Sequence, residues 1–218
     1  MRRAVMEFIG TFGLVFTVCA AVFAKSSAAP LAIGSVLMVL VYAGGHISGA
    51  HYNPAVTLGV LIRGRMPMSD VAPYVVAQLV GGVLAAAVAR FVMNPGETAA
   101  LSFSGRDYAA ALIAELIFTF LLVFVVLNVA TSKSHPGNSF YGLAIGFTVT
   151  AAAVAIGGVS GAAINPAVAI GAMVAGLFSW STIWVYLLAD LAGGALAAYV
   201  FRAINADDLE PVITSEAA

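Results

Sequence analysis

Charge is what this sequence has least of. Only 9% of its 218 residues are charged, against about 25% in a soluble domain, and that shortfall excludes most soluble folds. The 9 Lys and Arg against 10 Asp and Glu leave a net charge of -1. That is too little positive charge to grip a phosphate backbone, so nucleic acid is not an expected partner. Cysteine is nearly missing as well. Cys19 alone can neither close an intrachain disulfide nor build a metal site, and no metal or other cofactor is expected. What is plentiful is apolar: hydrophobic residues make up 62% of the chain and the mean hydropathy is +1.04. Spread over the whole length, that reads as an integral membrane protein with lipid as its surroundings. Each crossing of a bilayer core about 30 Å thick takes roughly 20 helical residues.

Residues 1–25 imitate a secretory signal, with Arg2 and Arg3 ahead of an apolar run that ends in small residues before Lys25. The imitation fails on one point. Glu7-Phe8-Ile9-Gly10-Thr11-Phe12 recurs as Glu115-Leu116-Ile117-Phe118-Thr119-Phe120 in mid-chain, and a segment that is half of an internal repeat belongs to the mature fold. The repeat continues. Ser48-Gly49-Ala50-His51-Tyr52-Asn53-Pro54-Ala55-Val56 matches Ser160-Gly161-Ala162-Ala163-Ile164-Asn165-Pro166-Ala167-Val168, at an offset of 112 positions (165 − 53). Gln78 with Gly81-Gly82 matches Asp190 with Gly193-Gly194 at the same offset.

Each copy holds three runs long enough to span: 4–24, 30–47 and 70–90, then 108–130, 140–158 and 181–201. Three is odd, so the second copy must enter the membrane upside down, which gives an inverted 3+3 repeat of the kind common in transport proteins. The expected organisation is a first repeat over 1–96, a second over 106–205 and a cytoplasmic tail over 206–218, all one membrane domain. Lys and Arg at the span ends set the orientation. With the N-terminus inside, Arg2, Arg3, Arg63, Arg65, Lys133 and Arg202 are cytoplasmic, and Lys25, Arg90 and Arg106 lie outside. This favours a cell-membrane protein with both termini in the cytoplasm.

Two apolar segments, 53–62 and 165–175, are too short to span and each opens on Asn-Pro-Ala. About ten residues at 1.5 Å per residue reach roughly half the bilayer. Asn caps a helix and Pro suits its first position, so these read as re-entrant half-helices and not as plain turns. Entering from opposite faces, their N-termini meet near the midplane, each carrying about half a positive charge. The irregular backbone leading in, Gly49 to Tyr52 and Gly161 to Ile164, is tolerable in a membrane only where it lines a wet cavity. Amide donors from Asn53 and Asn165, with carbonyls of Gly49, Ala50, His51, Gly161, Ala162 and Ala163 on either side, describe a single-file path for a neutral, hydrogen-bonding molecule.

On these residues the chain resembles the aquaporin and glycerol-facilitator family, over essentially residues 4–203. The stretch His46 to Thr57 and the paired Asn53-Pro54-Ala55 and Asn165-Pro166-Ala167 carry the likeness. The resemblance implies six transmembrane helices with two half-helices, a homotetramer with one pore per subunit, and passage of water or small uncharged solutes without catalysis. It also implies that Glu7 and Glu115 hold the loop backbones behind the half-helices, and that Ile33, Ala153, Ala162 and Val168 form the selectivity filter. A water-selective member has Phe, His, a small residue and Arg there. Here Val168 replaces the Arg, so the filter is expected to be wide, uncharged and apolar, open to glycerol, urea or ammonia-like solutes. A coupled secondary transporter, and a structural membrane protein with a vestigial pore, are the alternatives. His46 is expected to be a satisfied interior histidine, and His51 to act mainly through its carbonyl. Trp180, Trp184 and Tyr186 read as interfacial anchors, and the role of Asp190 is open.

Overall fold

The structure, a computed structural model, describes residues 1–209. Among these residues, six helices are long and apolar enough to cross a membrane: α1 (Arg2–Phe23), α2 (Ala29–Ser48), α4 (Met68–Met93), α5 (Arg106–Thr131), α6 (Tyr141–Ser160) and α8 (Ile183–Ile204). Two short ones, α3 (Pro54–Arg63) and α7 (Pro166–Val174), lie between them. The multi-pass, all-helical architecture follows from the composition, because an unbroken helix satisfies its own backbone in lipid.

The half-helices owe their existence to local chemistry at both ends. Gly49 and Gly161 stop α2 and α6 with φ of +86° each, a left-handed conformation that costs glycine nothing. Asn53 and Asn165 then start α3 and α7, their side-chain oxygens accepting from the N–H of Ala55 at 2.8 Å and of Ala167 at 2.9 Å.

The copies interlock. α1 packs on α4 and α5 on α8 within each copy, while α2 meets α6 across the repeat. The half-helices are exchanged: α3 lies on α8 and α7 on α4. Lipid supplies no hydrophobic drive between helices, so close backbone approach must hold them. The two glycine pairs provide it. A Cβ added at Gly81 would stand 2.7 Å from the Phe8 carbonyl oxygen, and one at Gly193 would stand 2.7 Å from that of Leu116. Their neighbours Gly82 and Gly194 face the other copy's half-helix, against the carbonyls of Ala167 and Ala55.

The start of the expected tail is not free. Ala206–Leu209 forms a short 3-10 turn in which Asp208 is buried; residues 210–218 lie outside the described residues.

A candidate pore between two half-helices

The loops entering α3 and α7 share an uncommon backbone. Ala50 and Tyr52 have φ of +53° and +49°, and Ala162 and Ile164 have φ of +52° and +40°. A left-handed bulky or β-branched residue costs about 1–3 kcal/mol and survives only where its surroundings impose it. Two fully buried carboxylates impose it here. Glu7 accepts from the N–H groups of His51 at 3.0 Å and Tyr52 at 2.6 Å, and from Ser48 Oγ at 2.7 Å and Gln78 Nε2 at 2.8 Å. Glu115 accepts from the N–H groups of Ala163 at 3.0 Å and Ile164 at 2.6 Å.

At the centre the half-helices join tip to tip. Asn53 Nδ2 donates to the Ile164 carbonyl and Asn165 Nδ2 to the Tyr52 carbonyl, both at 2.9 Å. Each amide keeps a second N–H, and both asparagines border the same internal cavity. Pro54, Ala55, Pro166 and Ala167 are buried behind them.

That cavity measures about 70 Å³ and is lined by Ile33, Ala153, Ala162 and Val168, together with Ala50, His51, Gly161 and Ala163. One water needs roughly 10–15 Å³, so the cavity has room for more than one. Its remaining wall is aliphatic, including Leu37, Val56, Val149 and Ile145. Neither Glu7 nor Glu115 reaches it. Beyond His51 opens a vestibule of about 690 Å³, bordered by Arg3, His46, Gly49, Arg65 and His135.

Several side chains depart from the expectation. His46 is exposed in the vestibule and not an interior histidine, because it sits on the face of α2's last turn that looks into the mouth. Tyr186 is fully buried and donates to the Ser160 carbonyl at 2.7 Å, as Tyr74 does to that of Ser48. It ties the end of α6 and is no interfacial anchor, whereas Trp180 and Trp184 are exposed. Asp190 is buried and accepts from Thr119 at 3.1 Å, away from the cavity lining.

His51 engages its ring as well as its backbone. Thr57 Oγ1 lies 3.1 Å from the Asn53 carbonyl, 3.0 Å from Gln78 Nε2 and 3.1 Å from His51 Nδ1. A carbonyl only accepts, so it takes the Thr57 proton. Gln78 donates, since turning its amide would set its oxygen against the Glu7 carboxylate. Every contact is then attractive only with the proton on His51 Nδ1, which leaves Nε2 an acceptor.

Two arginines that the sequence reading counted only toward topology cap the half-helices. Arg90 Nη1 donates to the Ala175 carbonyl at 2.5 Å, just past α7, and Arg202 Nη1 donates to the Ile62 carbonyl at 2.7 Å, near the end of α3. Arg63, also counted as a topology signal, is buried, 4.8 Å over the Phe201 ring and 3.7 Å from Asp208. Burial works against the Asp208 carboxylate, yet hydrogen bonds from Ser132 and the Lys133 N–H, with the Arg63 charge, hold its pKa below the usual value. On the opposite side, Leu101 pairs with the strand-like segment after α7: Leu101 N–H donates to Leu177 at 2.7 Å and Ser179 N–H to Leu101 at 2.9 Å.

Six spans around two half-helices, with paired asparagines facing one narrow cavity, define a passive membrane channel and not an enzyme. The chain belongs to the major intrinsic protein family, whose profile matches residues 1–201. It is 41% identical over 217 residues to the glycerol uptake facilitator protein-like 6 of Lactiplantibacillus plantarum, covering 95% of this chain and 100% of that one. It is 37% identical to Nodulin-26 of Glycine max, covering 95% and 79%. Its fold matches the aquaglyceroporin of Plasmodium falciparum with a TM-score of 0.77 at 23% identity, covering 95% and 98%.

Proposed function

We propose that this channel passes water and small uncharged solutes, glycerol and urea among them, across the cell membrane. In this reading it is a homotetramer with a pore in each subunit and both termini in the cytoplasm. The observation that carries the solute assignment is the composition of the cavity wall. Ile33, Ala153, Ala162 and Val168 bring neither charge nor a hydrogen-bonding side chain to it, so size and hydration, not a fixed ion, decide entry. Asn53 and Asn165 donate to the permeant at the centre, and carbonyls of Gly49, Ala50, His51, Gly161, Ala162 and Ala163 receive its hydrogens on either side. Glu7 and Glu115 act as braces. Their carboxylates are spent on loop N–H groups, and among the described residues no carboxylate, Asp190 included, lines the cavity to couple transport to an ion gradient. The positive vestibule rim, with Arg3 and Arg65, supports its placement on the cytoplasmic side.

Stopped-flow light scattering on proteoliposomes tests the solute class. Under inward gradients of glycerol and of urea, vesicles are expected to shrink and then re-swell at least tenfold faster than empty liposomes. Re-swelling no faster than the lipid control for both solutes would overturn the wide-filter reading.

A further inference from the structure

Arg90 and Arg202 occupy corresponding places in the repeat, 112 positions apart (202 − 90). Each reaches across to the half-helix of the other copy: Arg90 on α4 binds the end of α7, and Arg202 on α8 binds the end of α3. Each also follows a glycine by eight positions, Gly82 and Gly194, and those glycines lie against the first residues of the same half-helices. Eight residues rise about 12 Å, close to the length of the half-helix alongside. One span therefore grips its half-helix at both ends, by backbone contact at the pore centre and by a guanidinium at the mouth.

We propose that Arg90 and Arg202 are positioning residues for charge exclusion: by neutralising the outer, negative poles of α7 and α3, they leave the positive poles at Asn165 and Asn53 less opposed. A half-helix carries about +0.5 charge at its N-terminus and −0.5 at its C-terminus. Seen from the pore centre, the negative pole cancels part of the positive one. A guanidinium bound to the C-terminal carbonyls removes that cancellation, and the field at the centre falls off as that of a charge instead of a dipole. The arrangement matters in this chain because Val168 stands where the resemblance expects a filter Arg, so the central field lacks that second barrier. The two ends are unequal. α3 also carries Arg63 in its last turn, paired with Asp208, whereas among the described residues Arg90 is the one cation hydrogen-bonded at the end of α7. The larger effect therefore belongs to Arg90.

The inference rests on the neutral-solute reading above, and the test separates the two. Wild type, Arg90→Gln, Arg202→Gln and Arg90→Lys are reconstituted, and proton influx is followed with an internal pH-sensitive dye under a valinomycin clamp beside osmotic water flux. Arg90→Gln is expected to raise proton influx roughly three- to tenfold and Arg202→Gln by less, with water flux within about twofold of wild type. Arg90→Lys keeps the charge and stays near wild type. The excess leak of the Gln variants narrows as salt is raised, since the mouths are open to screening; a purely structural loosening would not follow salt. Gln variants as proton-tight as wild type while conducting water would overturn the inference, as would a Lys variant that leaks as much as Gln. Arg202 is exposed, so its Gln variant keeps the test open should Arg90→Gln fail to fold. A wild type that leaks protons rapidly would also overturn this inference, whereas the neutral-solute reading stands or falls on the glycerol and urea fluxes.

Discussion

Replacing Glu7 with Ala is expected to abolish water flux and to destabilise the protein by more than about 4 kcal/mol. The carboxylate accepts from two backbone N–H groups, a hydroxyl and an amide, all inside the membrane domain. Each buried donor left without a partner costs about 1–3 kcal/mol. The loss reaches the pore because Tyr52 stays left-handed only while its N–H is held, and the Tyr52 carbonyl is what Asn165 binds. Releasing one loop thus unties the other half-helix. Glu7→Gln keeps an acceptor oxygen but turns an NH2 group toward donors, so it should fall between wild type and Ala. The check is thermal unfolding in detergent with stopped-flow water permeability on the same preparation. An Ala variant with an unchanged transition and unchanged flux would mean that the brace is not needed.

The second large effect is a gain of selectivity. Changing Ala153 to His and Val168 to Arg together should cut glycerol flux at least tenfold while lowering water flux several-fold less. Both positions border the cavity. Two bulky, polar side chains would fill space that a water-sized molecule can share and glycerol cannot. The comparison is made on one preparation by applying sorbitol and then glycerol gradients. Equal losses for water and glycerol would show simple blockage, and no loss for either would place the narrow point elsewhere.

The parts of this architecture that were legible in the sequence are those written in local chemistry. Asn-Pro announces a capped helix start, ten apolar residues announce half a span, and an odd number of spans forces the inversion. The glycine pairs stood out as a repeat, Gly81-Gly82 against Gly193-Gly194, and small residues inside a span are what close helix contact requires. What stayed hidden depends on which face of a helix meets which neighbour. The arginines at 90 and 202 look like ordinary positive residues at span ends until α7 and α3 are seen lying beside them. Tyr186 has the amphipathic character of an interfacial residue, and only the fold turns its hydroxyl inward onto Ser160. His46 and His51 stand five positions apart, yet the Gly49 break turns one ring into the vestibule and the other onto Thr57. Arg63 found Asp208 across 145 positions (208 − 63), a pairing that no spacing rule reaches.

The central claim is a continuous passive path between the two half-helices. Osmotic water permeability of proteoliposomes tests it most directly, measured by stopped flow in a sorbitol gradient with identical ions on both sides of the membrane. The account predicts rapid shrinkage without any ion gradient, unchanged when the membrane potential is collapsed. Water permeability equal to that of empty liposomes, or flux that appears only when an ion gradient is imposed, would contradict it.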